Sequence, residues 1–291
     1  MTDKLLKQTS IIKVSDEKKT HHKLIIGDAI EALKDQNLIK SKSIQTIITS
    51  PPYGLYKDYG GYYEDKLDLD KWQEFINKTA KYSKRILKDN GSFLINISPI
   101  PKNNKTKEII PLDSIVYFIF KENGYFLRNK IIWHFNNMQN CVKRLSGRWE
   151  AILWFVKDIN NYIFNLDDIR IPFITKKDKR LIGKEGRNPT DHWFFNRVNN
   201  MTKKKNNINH PCVYPDPMIE RLIKMTTNEY DIVLDPFVGS GTTMRVSRIL
   251  KRHSIGIELN PNYRDLIKRR LELDNLQYNA SNFELINFND I

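Results

Sequence analysis

Cysteine is nearly absent: Cys141 and Cys212 are the only two in 291 residues. They lie far apart and form no CxxC pair, so neither a disulfide framework nor a structural zinc site is expected, and a reducing compartment is. No apolar run approaches the ~18–20 residues that span a bilayer. The first residues, MTDKLLKQTSIIKVSDEKK, lack the apolar core of a signal peptide. Cytoplasm is the expected location. Acidic residues are in deficit, 34 Asp+Glu against 48 Lys+Arg, which leaves +14. That balance favours a polyanionic partner, nucleic acid before a membrane surface. What is present suffices for a core: 40% hydrophobic and 28% charged residues describe a globular chain of one large domain, or a domain with an insert.

Strand and helix patterns alternate along most of the chain. After a polar arm at 1–20, KLIIGDAIEAL from Lys23 reads as strand, turn and helix, and SIQTIITSPPY as a second strand. Residues 55–68 are rich in Tyr, Gly and charge and suit a surface loop. Leu69, Trp72, Phe75, Ile76, Ala80, Ile86 and Leu87 form a helical stripe, which Asn90-Gly91 is expected to cap. GSFLINIS is a buried strand and 112–123 a helix. FLRNKIIWHF and WEAILWFVK are strands that would bury Trp133, Trp149 and Trp154. Between 175 and 205 the texture changes to 10 Lys/Arg against 3 Asp/Glu, with little regular structure expected. Ordered texture returns at His210 with a helix, the strand DIVLD, the strand HSIGIEL and a last helix. No internal repeat is evident. The alternation predicts an α/β, Rossmann-like doubly wound, mainly parallel sheet. Its divisions are a catalytic half at 21–157, an insert at 158–209 and a cofactor half at 210–291.

Two stretches carry chemistry. VLDPFVGSGTT joins a buried strand to a helix through Gly239 and Gly241, which permit close backbone approach to a ligand. The third glycine of GxGxxG is missing, which argues against a dinucleotide, and no GK[ST] follows to bind a nucleoside triphosphate. Asp235 ends the strand, and Glu258 lies seventeen residues past Gly241 at the end of the next one, where a carboxylate can accept from ribose hydroxyls. The other stretch is TSPPY, a β-branched strand halted by Pro51 and Pro52, neither of which can donate to a ladder.

DPFVGSGTT together with TSPPY resembles the exocyclic-amino DNA methyltransferases that use S-adenosylmethionine. The order of motifs, tetrapeptide early and glycine loop late, resembles the circularly permuted β class. The likeness runs from about residue 22 to 272. It implies that Phe237, Gly239, Ser240, Gly241 and Thr242 wrap the cofactor beside Asp235, that Glu258 holds the ribose, and that Asp28 lies by the adenine ring. It further implies that Ser50, Pro51, Pro52 and Tyr53 hold the target base. IIWHFNNMQNCVKRLSGRWEAILWFVK resembles the segment closing the base pocket, and HPCVYPDPMIERLI the helix beside the cofactor's methionine group. His210 could be a ligand or base in isolation; beside Pro211 it is expected to shape the approach to that helix.

An exocyclic amine is a poor nucleophile because its lone pair is delocalised into the ring. Two fixed acceptors that favour a pyramidal nitrogen remedy this, and Ser50 Oγ with the Pro51 carbonyl are the candidates, with Tyr53 stacking on the extruded base. In the family SPPY is usual for cytosine-N4 and DPPY or NPPY for adenine-N6, so Ser50 favours cytosine, with adenine-N6 the alternative. Cytosine-C5 chemistry needs a thiolate, and Cys141 and Cys212 are read as packing residues. No metal is implied.

The insert occupies the place of a DNA-recognition region. Lys176, Lys177, Lys179, Arg180, Lys184 and Arg187 are candidate contacts to phosphate or guanine, and Trp193 and Phe194 candidate anchors for the insert. Tyr56, Tyr59, Tyr62 and Tyr63 form a candidate lid over the base. Expected partners are double-stranded DNA, a cognate restriction endonuclease and a second copy in a homodimer, with no membrane. The rivals are a non-catalytic nucleic-acid-binding protein with this fold, which the intact motifs oppose, and an RNA substrate.

Overall fold

The computed structural model describes residues 19–52, 68–101, 108–136, 140–173, 186–273 and 281–288. In chain order the elements are β1 (Thr20–Ile26), α1 (Ala29–Lys34), β2 (Ile44–Thr49), α2 (Leu69–Ile86), β3 (Leu87–Ile97), β4 (Ile100–Pro101), β5 (Ile109–Ile110), α3 (Leu112–Glu122) and β6 (Phe126–His134). There follow β7 (Trp149–Val156), β8 (His192–Phe194), α4 (Asn200–Lys205), α5 (Asp216–Thr226), β9 (Ile232–Asp235), α6 (Thr242–Ile249), β10 (His253–Glu258), α7 (Arg264–Arg270) and β11 (Ser281–Asn287). Among the described residues no helix is long and apolar enough to cross a membrane.

One nine-stranded sheet, ordered β11-β1-β10-β9-β2-β3-β7-β6-β8, organises the chain. All neighbours are parallel except at β7, which runs against both β3 and β6. The alternation of side chains in each strand feeds two cores. Ile47, Phe93, Ile95 and Leu234 point to the face covered by α1, α2 and α3, while Ile48, Leu94 and Val233 point to the face covered by α5 and α6. β2 is buried at all six positions, as a central strand between two helical layers requires. α2 buries Trp72, Ile76, Ala80 and Ser83 at helical spacing, and Asp68 caps it by accepting from the Lys71 N–H.

The structure departs from the sequence expectations at several points. Asn90-Gly91 does not cap α2, which ends at Ile86; both residues lie inside β3, where the pairing with β2 jumps from Ile44↔Leu87 to Thr46↔Ser92. The extra residues form a bulge, and Gln45 Nε2 donates to the Asn90 carbonyl across it. Trp133 and Trp154 are buried, but Trp149 is 37% exposed at the start of β7, with Lys130 over its ring. The basic insert is tied into the main sheet: β8 pairs with β6, and Trp193 packs in the α5-side core, whereas Phe194 is 52% exposed. Cys212 is exposed and Cys141 half-buried, so neither is a packing residue of the core. The C-terminal tail adds β11 beside β1, and Arg248, 1% exposed, holds the approach to it by donating to the Leu271, Glu272 and Leu273 carbonyls and to Ser281 Oγ.

Candidate active site

Four strand ends converge at the carboxyl edge of the sheet, around the point between β9 and β2 where the strand order turns, and such switch points open a crevice for ligands. β1 ends beside Asp28, β10 at Glu258, β9 at Asp235 and β2 immediately before Ser50. The residues picked from the sequence thus come from both halves of the chain to one edge. Tyr53, the Tyr56–Tyr63 lid and Lys176, Lys177, Lys179, Arg180 and Lys184 lie outside the described residues. Arg187 is exposed and pairs through its backbone with Ile171.

The glycine loop is shaped by conformations that disfavour side chains. Gly239 has φ +51° and Gly241 φ +81°. A Cβ on Gly239 would stand 2.8 Å from His210 Nε2, and one on Gly241 3.1 Å from Ile267 Cγ2. His210 is therefore packed under the loop. Its Nδ1 lies 2.5 Å from the Cys212 carbonyl, and burial lowers its pKa to about 4, so the ring is neutral and shapes the segment before α5. Phe237 packs against Phe75 of α2 with ring centroids 5.2 Å apart. Arg270 holds the loop from behind, donating to the Ser240 carbonyl and hydroxyl and to the Thr242 hydroxyl.

The two carboxylates have different surroundings. Asp235, 1% exposed, accepts from Thr49 Oγ1, Thr243 Oγ1 and the Phe237 N–H at 2.7, 2.7 and 3.1 Å. It braces β2, the loop and α6 together, and burial raises its pKa to about 6 against the pull of those three bonds. Glu258 accepts from the Gly239 N–H at 2.8 Å and the Asn260 N–H at 2.9 Å, and burial raises it to about 7. Asp28 caps α1, accepting from the Ile30 and Glu31 N–H groups, and its strand end lies next to that of Glu258 through the pair Ile26↔Glu258. A glycine cradle with no room for side chains, beside a carboxylate at the neighbouring strand end, suits a nucleoside-bearing cofactor.

At the end of β2, Trp72 Nε1 donates to the Pro52 carbonyl at 2.8 Å, which fixes the two-proline turn to α2. The Pro51 carbonyl makes no hydrogen bond among the described residues, and Ser50 is half-buried beside it. Sequence reasoning missed Trp72, which it placed only in a core stripe, and the bracing threonines Thr49 and Thr243. It also missed Asn96, Glu150, Arg197 and Tyr214. Asn96 Nδ2 donates to Glu150 Oε2 at 2.6 Å and Arg197 pairs with the other carboxylate oxygen. A buried carboxylate at strand position 150 in SGRWEAIL was the available signal.

Known proteins resemble this chain in sequence and in fold. A family model described as DNA methylase (N6_N4_Mtase) matches residues 44–269. Type II methyltransferase M.HpaI of Haemophilus parainfluenzae is 36% identical over 251 residues, covering 86% of this chain and 74% of that protein. DNA adenine methyltransferase YhdJ of Escherichia coli K12 is 31% identical over 260 residues, 86% of this chain and 82% of its own. The solved PvuII DNA methyltransferase, described as cytosine-N4-specific, shares the fold with a TM-score of 0.65 at 21% identity over 92% of this chain and 98% of that one. M1.HpyAVI, solved as its SAM complex, aligns with a TM-score of 0.57 at 26% identity over 86% of this chain and 100% of its own. The family match runs from the first residue of β2 into α7 and encloses both the Ser-Pro-Pro turn and the glycine loop: the chain belongs to the DNA methylase family.

Proposed function

We propose that this chain methylates the exocyclic N4 amine of a cytosine flipped out of duplex DNA, at a specific sequence. The methyl donor is S-adenosylmethionine, which supplies an electrophilic methyl on a sulfonium. Phe237, the Gly239–Gly241 turn and Glu258 would hold it, with Asp28 at the neighbouring strand end. The observation that carries the proposal is the acceptor pair at the end of β2. Trp72 occupies the Pro52 carbonyl, which leaves the Pro51 carbonyl and Ser50 Oγ to receive the two N–H hydrogens of the amine. Held that way, the nitrogen becomes pyramidal and its lone pair is freed from the ring. With the donor bound, that lone pair would take the methyl carbon, the carbon–sulfur electron pair going to sulfur, while Ser50 Oγ and the Pro51 carbonyl hold the N–H hydrogens until one proton leaves to water. Fixed acceptors cost no reorganisation at the moment of reaction, and the sheet edge supplies the orientation.

Serine at position 50, rather than aspartate or asparagine, supports cytosine. Adenine-N6 is the second reading, favoured by the likeness to YhdJ. The net charge of +14 and the basic insert, with Lys176, Lys177, Lys179, Arg180, Lys184 and Arg187, support phosphate contacts and sequence readout there. The Type II names of relatives support pairing with a restriction endonuclease and, with it, a cytoplasmic location. Phe118, Phe126 and Ile159 are exposed around an open hollow of about 710 Å³ and support a homodimer, which light scattering checks. The direct test of the function is transfer of labelled methyl to unmethylated duplex DNA. Wild type is expected to transfer and Ser50→Ala to lose most transfer while binding the cofactor normally; a fully active Ser50→Ala removes the acceptor role.

A further inference from the structure

A buried polar cluster lies beside the acceptor pair and is only partly satisfied. The pairing of β2 with β3 runs through Thr49↔Ile95, so Ser50 and Asn96 follow next to each other at the carboxyl edge. Glu150 of β7 fixes the Asn96 amide: its Oε2 accepts from Nδ2, and Arg197, stacked 3.9 Å over the Phe135 ring, holds its Oε1. Asn96 Oδ1 is thereby turned out as an acceptor, and it is buried with no partner. Tyr214 Oη is also buried and makes no hydrogen bond of good geometry among the described residues; Ser50 is the side chain placed to bond it, and Asp235, Glu150 and Cys212 are its electrostatic neighbours. Buried polar atoms are nearly always paired, so two orphans in one cluster indicate bonds completed only when something else enters.

Serine as an acceptor has a particular difficulty. Its hydroxyl is also a donor, and a proton aimed at the amine would engage the lone pair that must attack. Aspartate at this position would not have the problem. Resting on the amine-methylation reading above, we propose that Tyr214 is a positioning residue that removes it. Once the target base enters, Ser50 O–H donates to Tyr214 Oη, Tyr214 O–H closes onto Asn96 Oδ1, and Ser50 Oγ faces the amine with lone pairs only. No proton changes owner; the chain of bonds sets directions. Glu150 and Arg197 anchor its far end.

Tyr214→Phe keeps the ring and removes only the orphan hydroxyl. Its melting temperature without ligands is expected to equal or exceed that of wild type, because an unsatisfied buried group is lost. Cofactor Kd by calorimetry and KM for mixed-sequence unmethylated DNA are expected to stay within about twofold, while kcat falls about tenfold or more. In the double variant Ser50→Ala, Tyr214→Phe, the second change is expected to add no further loss, since Tyr214 acts through Ser50. A lower melting temperature, an unchanged kcat, or losses that multiply in the double variant would each overturn the role. Wild type that transfers no methyl to DNA would instead overturn the underlying reading, and this role with it; active wild type with an equally active Tyr214→Phe overturns the role alone.

Discussion

Thr49 Oγ1 donates to Asp235 Oδ1 at 2.7 Å. The residue before the acceptor turn is thus bonded to the residue that launches the glycine loop, 186 positions away in sequence. Asp235 also receives Thr243 from α6, so one buried carboxylate sets the distance between the Ser-Pro-Pro turn, proposed to hold the base, and the glycine loop, proposed to hold the cofactor. In-line transfer depends on that distance, and a misplacement of about 1 Å can cost about 100-fold in rate.

The burial of Asp235 has a pH signature. Its pKa is raised from 3.8 to about 6, so the folded state binds a proton more tightly than the unfolded chain. The resulting stability is present below pH 4 and is lost as pH rises through about 6, by about 3 kcal/mol. Asp235→Asn removes this contribution. The stability difference between wild type and Asp235→Asn, from urea unfolding at pH 3.5 and pH 7, is expected to shift by that amount against wild type at the higher pH; a constant difference would contradict the assignment.

Glu258 titrates near neutrality. At about pH 7 it is half ionised in the free protein, and an ionised carboxylate would accept the ribose hydroxyls of the proposed cofactor better than a protonated one. Cofactor affinity is therefore expected to rise with pH up to about 7 and then level off, with a proton released on binding below that point. Calorimetry in buffers of different ionisation enthalpy measures the release. Glu258→Gln is expected to abolish the pH dependence and weaken binding about tenfold or more; an unchanged Kd removes Glu258 from the site.

Much of this was legible in sequence because it is local. The β-branched run ending in Ser50-Pro51-Pro52, the paired glycines and Glu258 at its spacing each fall within one strand–loop unit, and the folded chain brings their strand ends to one edge. What was not legible depends on pairing between distant segments. Asn90-Gly91 looks like a helix cap until β2 fixes the bulge, and Trp149 looks like core until it is seen to be the first residue of β7, at the open end of an otherwise buried strand. Asn96, Glu150, Arg197 and Tyr214 come from four segments, with no short spacing to connect them. Trp72 lies on the expected apolar stripe, and its indole N–H acquires a second use only because the Pro52 carbonyl lies over α2.

Trp72→Phe tests that second use. The ring still fills the core, but the Pro52 carbonyl loses its donor. Stability is expected to fall by about 1 kcal/mol and kcat by about tenfold, with cofactor Kd unchanged. Wild-type kcat in the variant would show that the turn needs no anchor from α2.

Gly239→Ala addresses the other half of the site. With φ at +51° and a Cβ 2.8 Å from His210 Nε2, the loop must shift or His210 must move. Cofactor binding is expected to weaken by roughly tenfold or more, with a stability loss of about 1–2 kcal/mol. Titration calorimetry beside thermal unfolding separates the two, and wild-type affinity in the variant would place the cofactor elsewhere.

The most direct measurement is identification of the modified nucleoside. Unmethylated duplex DNA is incubated with the protein and labelled S-adenosylmethionine, digested, and resolved by mass spectrometry. Label in N4-methylcytosine is the result that Ser50 predicts; label in N6-methyladenine, or in no nucleoside, contradicts it.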